Sequence, residues 1–597
     1  MDIETLVSAA NRAQQVSDAN IGNCSSIWHI GFFFDGVHRN IEQDAPEQRL
    51  SNISRLFRAY PSPQDSTEFE IYSAFYISGL GTPFHENAAS VLHTVMDSAQ
   101  GSVVDDLKDQ PGDMAKDVGK ELLQGTNWYE VLKSQATKLI NPLEWQKLVI
   151  KTARSAIKKV TIEAVPRLRD NPTISDMLVT GVDTRIESTK ITFKEAFSKA
   201  RQQSKVPVKL ISISLFGFDL GATLARKFID DLLKDLCKKE GDKYTYQGVP
   251  VDVVFAGFFD CSRHTPASSK NGLGEFIKTF GGPVAPVGEF LAEKSIDQDA
   301  PLNPAIKKSL HLVAAHENRL WRSLYRLGKT AANWHEEVLP GCSEDVGGGL
   351  KPDEQKPSAE LCRVALHRMY REARVAGVPF PDFQLLYKSN PVIAQYFVMQ
   401  DNVKNSSVEQ WVKRYQDAVP GKALSVTTLN NHMDSYINWL GIQYYQYLTE
   451  YQTHDDLRRE EIASASAAAG LLGISPQASA TGKNHLDKMA ILKAHWGWLD
   501  DVRSAAILLT TSIDNDEADK RSQVLPDVYG PGYRRAQIFL AYAYAHAASL
   551  KKPIPLPDDY APAEIFAYFV HDIQAVDRSA PITEEFFLIR LFDDMEC

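Results

Sequence analysis

Residues 211–228 read ISISLFGFDLGATLARKF: an apolar run, Gly217 and Gly221 bracketing Asp219, then a segment with helical spacing. A strand that turns sharply into a helix between two glycines lifts the central side chain above the sheet, the arrangement in which many hydrolases hold a serine nucleophile. Here the raised residue is an aspartate. The backbone N–H of Leu220 would supply half of an oxyanion hole, and the Asp35-Gly36 turn after a neighbouring strand is the candidate for the other half. An aspartate in this seat can itself be a covalent nucleophile, as in haloalkane dehalogenases and epoxide hydrolases, provided a histidine activates the water that cleaves the ester. His311 and His316 in SLHLVAAHE, and His264 after Asp260, are the candidate bases. The structural alternative is that Asp219 caps the following helix, worth roughly 0.5–2 kcal/mol. A strand histidine is likewise more often a satisfied structural group than a base.

The elements that must position these residues follow from periodicity. WHIGFFFDGVHRN (28–40) reads as a buried strand ending in the Asp35-Gly36 turn. SNISRLFRAYP (51–61) places Ile53, Leu56, Phe57 and Tyr60 on one helical face, with Ser51 or Asn52 as cap and Pro61 as stop. FEIYSAFYISGLGT (69–82) is a second strand, and this strand, helix, strand start favours a parallel sheet. Residues 85 to about 206 are helical in pattern, with breaks at Pro111-Gly112, Pro142 and Pro166, and read as an insertion. VKLISISLF (208–216) resumes the sheet as a strand apolar on both faces. Leu224, Phe228, Leu232 and Leu236 mark the packed face of the next helix. VPVDVVFAGFFD (249–260) and SLHLVAAHE (309–317) are further strands, LPGCSEDVGGGL (339–350) a Gly-rich loop, and LCRVALHRMYREARVAGVPF (361–380) a helix closed by Gly377. The remainder is largely helical, with 463–481 expected as a loop or linker from its Ala, Ser and Gly content.

A chain of 597 residues exceeds one ordinary core. Its 44% apolar and 24% charged residues are those of a globular protein. A net charge of -11 argues against a general nucleic-acid binder. Six scattered cysteines, with no metal-ligand spacing, point to a reducing compartment and to no metal or other cofactor. The N-terminus has no secretory signal, and no run is long enough to span a bilayer.

FFFDGVHRN, SNISRLFRAYP, YISGLGT, FGFDLGATLARKF, FAGFFD, HLVAAHENR, LPGCSEDVGGGL and LCRVALHRMYREARVAGV stand in one order along residues 28–380. That ordered set resembles the type VI secretion phospholipase effectors, whose elbow reads Gly-Phe-Ser-Arg-Gly-Ala. FVHDIQA (569–575) looks like a His-Asp-Ser segment of the same family. The resemblance implies an α/β-hydrolase-like fold: a mostly parallel sheet in residues 26–380 with the helical insertion, after an N-terminal tail of 1–25 and before a mainly helical C-terminal region, 381–597. It also implies cleavage of lipid esters by a Ser, Asp, His triad.

Carried onto this chain, the serine position holds Asp219, the acid is Asp260, and the histidine of the Gly-rich loop is replaced by Ser343, with Asp345 and the three glycines kept. Loss of nucleophile or base from such a triad costs roughly a million-fold in turnover. The resemblance therefore implies a catalytically impaired protein that binds lipid, a secretion spike or tube component, or a cognate protein, and that resides in the bacterial cytoplasm or leaves by type VI secretion without a signal peptide. The alternative is an active hydrolase, using Asp219 or residues outside this correspondence.

Three other features carry readings of their own. Asp260 would bond turn amides if it has no triad role, Glu317 and Arg319 would pair with each other, and Cys342 has no basic neighbour in sequence to activate its thiol. Between 145 and 160, Lys147, Lys151, Arg154, Lys158 and Lys159 accompany Trp145, Val149, Ala153, Ala156 and Val160 at helical spacing. Such a basic helix suits either an anionic phospholipid surface or a packed helix with a solvated face.

Overall fold

The computed structural model describes residues 3–18, 25–84, 181–263, 300–317, 319, 322–328, 332–472, 482–512, 526–547, 561–572, 582 and 584–590. His264, the basic segment 145–160 and most of the 85–206 insertion lie outside them.

Six parallel strands form the central sheet, in the spatial order Trp334–Leu339, Ser309–Ala314, Val249–Phe259, Val208–Phe218, Ser26–Phe34, Glu70–Ile77. They are β1 (Ser26–Phe34), β2 (Glu70–Ile77), β3 (Val208–Phe218), β6 (Val249–Phe259), β8 (Ser309–Ala314) and β10 (Trp334–Leu339). A hairpin of β4 (Lys238–Glu240) and β5 (Lys243–Tyr246) adds antiparallel to β6. Every residue of β1 is buried, as a strand covered on both faces requires. Trp28, Ile30, Phe32 and Phe34 point to one face, where they meet helices Val182–Gln203 and Leu220–Asp235. Phe33, with Phe216, Phe255, Leu310 and Leu312, points to the other, against helices Asn52–Ala59 and Leu361–Val375.

The caps explain where these helices begin and stop. Ser51 Oγ accepts the Ser54 N–H at 3.0 Å, and Gly377, at φ +97°, lets Val378 N reach Ala373 O. The helices expected at 51–61 and 361–380 are present with these ends.

Two expectations need correction. Residues 463–472 are not a loop but the end of a 47-residue helix, Val426–Leu472, since alanine is the best helix former and outweighs the glycine. The Gly-rich loop contains a short helix, Ser343–Gly347, before Gly348 and Gly349 at positive φ.

The C-terminal helices do not stand apart from the sheet. Val313, Ala315 and Val338 from its edge share one core with Trp411, Tyr415, Tyr436, Phe566 and Phe587. Residues 422–424 also run beside β10, with Val338 N donating to Lys422 O at 2.7 Å. At the other end of the chain, helix Ile3–Asp18 is tied down where Asn11 Nδ2 donates to Val375 O. No described helix is long and apolar enough to cross a membrane.

The register brings four strand ends to one edge. Phe34 pairs with Gly217, Phe218 with Phe259, and Phe259 with Leu312, so Asp35, Asp219 and Asp260 emerge side by side. One close backbone approach there is at Gly221: a Cβ would lie 2.1 Å from Asp35 O and 2.7 Å from Phe34 O. Gly221→Ala is therefore expected to cost about 3 kcal/mol or more, read as a lowered unfolding midpoint. Gly470→Ala, where an added Cβ meets nothing within 4 Å, should leave stability unchanged or slightly raised.

Candidate functional site

Asp219 sits between β3 and helix Leu220–Asp235 at φ +53° and ψ −130°, a conformation that non-glycine residues adopt only when their surroundings enforce it. Its N–H donates to Phe259 O and its carbonyl accepts from Ala222 N, so the turn is bound on both sides. The raised, strained turn of the sequence reading is thus present. The expected helix cap is not: the Asp219 side chain makes no capping hydrogen bond. Its two oxygens bond other side chains. Ser262 Oγ donates to Oδ1, and Arg322 Nη1 to Oδ2 at 2.6 Å, all within a nearly closed environment.

Asp260 is fully buried at the end of β6, with φ +45°. Its Oδ1 accepts the Ala314 N–H at 2.9 Å and Arg590 Nη1. Arg590 also donates from Nη2 to Arg322 O at 2.8 Å, and from Nε at 3.2 Å. One guanidinium therefore bonds both the acid of the triad-equivalent set and the backbone of the residue that pairs with the elbow aspartate. Asp219, Arg322, Arg590 and Asp260 form one network, an acid at each end and the two arginines joined through the Arg322 carbonyl.

The third position, Ser343, is also fully buried. Its N–H donates to Glu317 Oε2 at 3.3 Å, while its Oγ has no partner among the described residues. Glu317 is clasped by Arg319 through Nε at 2.7 Å and Nη2 at 2.6 Å. Burial alone would raise the Glu317 carboxyl; Arg319, helped by Arg590 and Arg322, holds it below the usual range. Cys342 is pushed well above the ordinary thiol range by burial and the surrounding carboxylates, so it is an inert thiol.

An imidazole does stand at this loop, and it comes from elsewhere in the chain. His571 Nδ1 lies 2.7 Å from Asp345 Oδ1, and the His571 N–H donates to Asp345 Oδ2 at 2.8 Å. A carboxylate behind Nδ1 is how a general base is oriented. His571 Nε2 has no partner among the described residues, yet the ring is completely enclosed. The pair binds the C-terminal segment to the Gly-rich loop.

The two candidate bases are engaged at both nitrogens. Cys261 N–H donates to His311 Nε2 at 2.9 Å, which leaves the proton on Nδ1, 3.1 Å from Glu336 Oε1. Gly341 N–H donates to His316 Nδ1 at 2.9 Å, and Tyr415 Oη lies 3.4 Å from its Nε2. Burial, with His432 beside it, keeps His316 well below the normal imidazole range and therefore neutral. At the oxyanion position, the Gly36 N–H is occupied by Asp35 Oδ1 at 2.8 Å. Asp35 Oδ2 takes Ser51 at 2.7 Å, Ser54 at 2.9 Å and Tyr76 at 2.7 Å. Burial raises the Asp35 carboxyl in spite of these donors. Leu220 opens the helix behind Asp219, where its backbone amide was expected.

Sequence reasoning did not find Ser262, Arg322 or Arg590. Arg322 and Arg590 lie 103 and 330 residues from their acids, with no local pattern to mark them. His571 was flagged only through the likeness of FVHDIQA to a family segment, and its bond to Asp345 was not foreseen.

No protein-family model and no curated protein sequence matches the chain. Among solved structures, one described as an uncharacterized protein from Pseudomonas aeruginosa is similar over 99% of this chain and 82% of its own, at 17% identity and a TM-score of 0.52. That likeness supports the fold: mixed α/β with a mostly parallel central sheet. The Tle1 effector bound to the VgrG spike from the Type 6 secretion system aligns over 55% of this chain and 52% of its own, at 17% identity and a TM-score of only 0.28.

Two measurements probe the network. Arg590→Ala leaves Asp260 buried without its cation, and a loss of about 3–5 kcal/mol in stability is expected. Adding Asp260→Asn should restore part of it, as a double-mutant cycle would show. Burial would raise the Glu336 carboxyl, but the His311 hydrogen bond, the Leu327 N–H and Arg326 bring it down to about 2. A depressed carboxylate contributes stability above its ordinary value of 4.5, and that contribution disappears as pH falls through about 2. Glu336→Gln should therefore be less stable than the native chain at neutral pH by on the order of 3 kcal/mol, with the gap closing between pH 4.5 and 2.

Proposed function

We propose that this chain is an α/β-hydrolase-like relative of the type VI secretion phospholipase effectors that no longer hydrolyses lipid esters and acts by binding a protein of the secretion machinery. The observation that carries the loss of catalysis is the state of Asp219: both carboxylate oxygens are held, one by Ser262 and one by Arg322. An acyl-transfer elbow needs a hydroxyl that gives its proton to an imidazole and leaves room for a developing oxyanion. A paired carboxylate offers neither, and its own charge opposes the oxyanion. The same pairing argues against an aspartate nucleophile, whose attacking oxygen must be free and must face a water held by a histidine. The ring nitrogens of His311 and His316 are bonded elsewhere. The binding role and the secretion context rest on the ordered motifs shared with that family.

The test is turnover. Full-length protein incubated with phospholipid vesicles in oxygen-18 water is expected to release no fatty acid above background and to take no label into Asp219. A companion pull-down should retain a type VI spike component from the same cell. Lipid hydrolysis abolished by Asp260→Ala, or label entering Asp219, would overturn the catalytic part; failure to retain any spike component would overturn the binding part.

A further inference from the structure

Far from the sheet edge, the helix Val426–Leu472 packs along the helix Lys483–Trp496. Two imidazoles meet across that contact. His454 Nδ1 and His485 Nδ1 are 3.1 Å apart, with ring centroids 5.3 Å apart and planes inclined at 41°. On the far side of the second ring, His485 Nε2 is 3.3 Å from Glu461 Oε1. The protonation pattern follows from these distances. A ring nitrogen facing a carboxylate carries the proton, so His485 Nδ1 presents a lone pair and His454 Nδ1 donates to it.

We propose that this pair is a binding site for a divalent transition-metal cation of the class imidazole favours, Zn²⁺, Ni²⁺ or Cu²⁺. The separation is that of two ligands on one ion. With metal–nitrogen bonds of about 2.0–2.1 Å, nitrogens 3.1 Å apart subtend about 95–102° at the cation, between the square and tetrahedral angles. The carboxylate is where a ligating histidine has it: such rings donate their other N–H to an acidic partner, which fixes the tautomer and raises ligand basicity. Glu461 does this for His485.

The cation takes the place of the proton between the two rings. The His454 proton moves from Nδ1 to Nε2, both rings stay neutral, and no net proton is released. Two coordination positions are filled by protein. Water completes the shell, because no group of three or more His, Cys, Asp or Glu side chains is gathered as a metal site among the described residues.

The location gives the site a consequence. Along this stretch the long helix exposes Leu457 and Ile462, each at 40%, and little apolar burial holds it to its neighbour. A cation bridging the two helices joins them where packing does not. Because only the packed pair presents both nitrogens, binding favours that arrangement by mass action.

The test uses the full chain, stripped with a chelator and titrated with Ni²⁺ or Cu²⁺ alone. One ion per chain is expected, with nitrogen hyperfine structure from two imidazoles in the Cu²⁺ spectrum and a rise in melting temperature on loading. His454→Gln and His485→Gln should each weaken binding at least tenfold, and Glu461→Gln by roughly 10- to 100-fold. The metal-free melting temperatures of the variants should match that of the unaltered protein, which separates loss of the site from loss of the fold. Absence of binding, or binding unchanged in the His454→Gln, His485→Gln double variant, would overturn the proposal.

Discussion

The pairing of Asp219 with Arg322, joined through Arg590 to Asp260, is the constraint around which the carboxyl edge of the sheet is built. A parallel sheet delivers its strand ends to one crest, the usual place for chemistry in α/β proteins. Here that crest gathers carboxylates: Asp35, Asp219, Asp260 and Glu317 are each at most 2% exposed. An isolated buried carboxylate is so unfavourable that it normally gives up its charge. Each of these four has its own donors, although at Asp35 burial still outweighs them and raises the carboxyl. Asp35 has hydroxyls and a backbone amide, Asp219 a serine and Arg322, Asp260 Arg590 and a backbone amide, and Glu317 both arms of Arg319.

These donors arrive from separate parts of the chain, which is why the C-terminal region cannot be set aside from the sheet. Arg590 comes from the last described residues, held by the shared core of Phe586, Phe587 and Ile589. His571 comes from the end of helix Ala561–Tyr568 and bonds Asp345. Arg590 reaches Asp260 just past β6, and His571 reaches Asp345 in the loop after β10.

Much of the frame was legible in the sequence because it is locally encoded. The unbroken apolar run of β3, the Ser51 cap and the four-residue repeat of Leu224, Phe228 and Leu232 each declare an element within a few residues. The strand β10 was missed, since WHEEVL carries two glutamates and owes its pairing to β8 on one side and residues 422–424 on the other. At the site, the glycine-bracketed turn was legible, and so were its side-chain identities. What the carboxylates bond to was not, because the partners of Asp219 and Asp260 are fixed by tertiary packing and not by spacing.

The elbow shows what a carboxylate in this seat demands. A serine at position 219 would be neutral and could be enclosed with a single hydrogen bond. An aspartate in the same strained turn brings a full charge into a crest already crowded with acids, and the helix N-terminus behind it offers only partial positive charge within its first turn. Because the side chain makes no cap to that helix, the dipole is not what offsets the charge. The cation of Arg322 does, and Arg322 is in turn fixed by two bonds from Arg590 to its carbonyl. Such a group cannot be changed one residue at a time: a hydroxyl at 219 would leave Arg322 without its acid, and removal of Arg322 would leave the acid without its cation. The strained turn at 219 thus holds a carboxylate where an arginine can reach it.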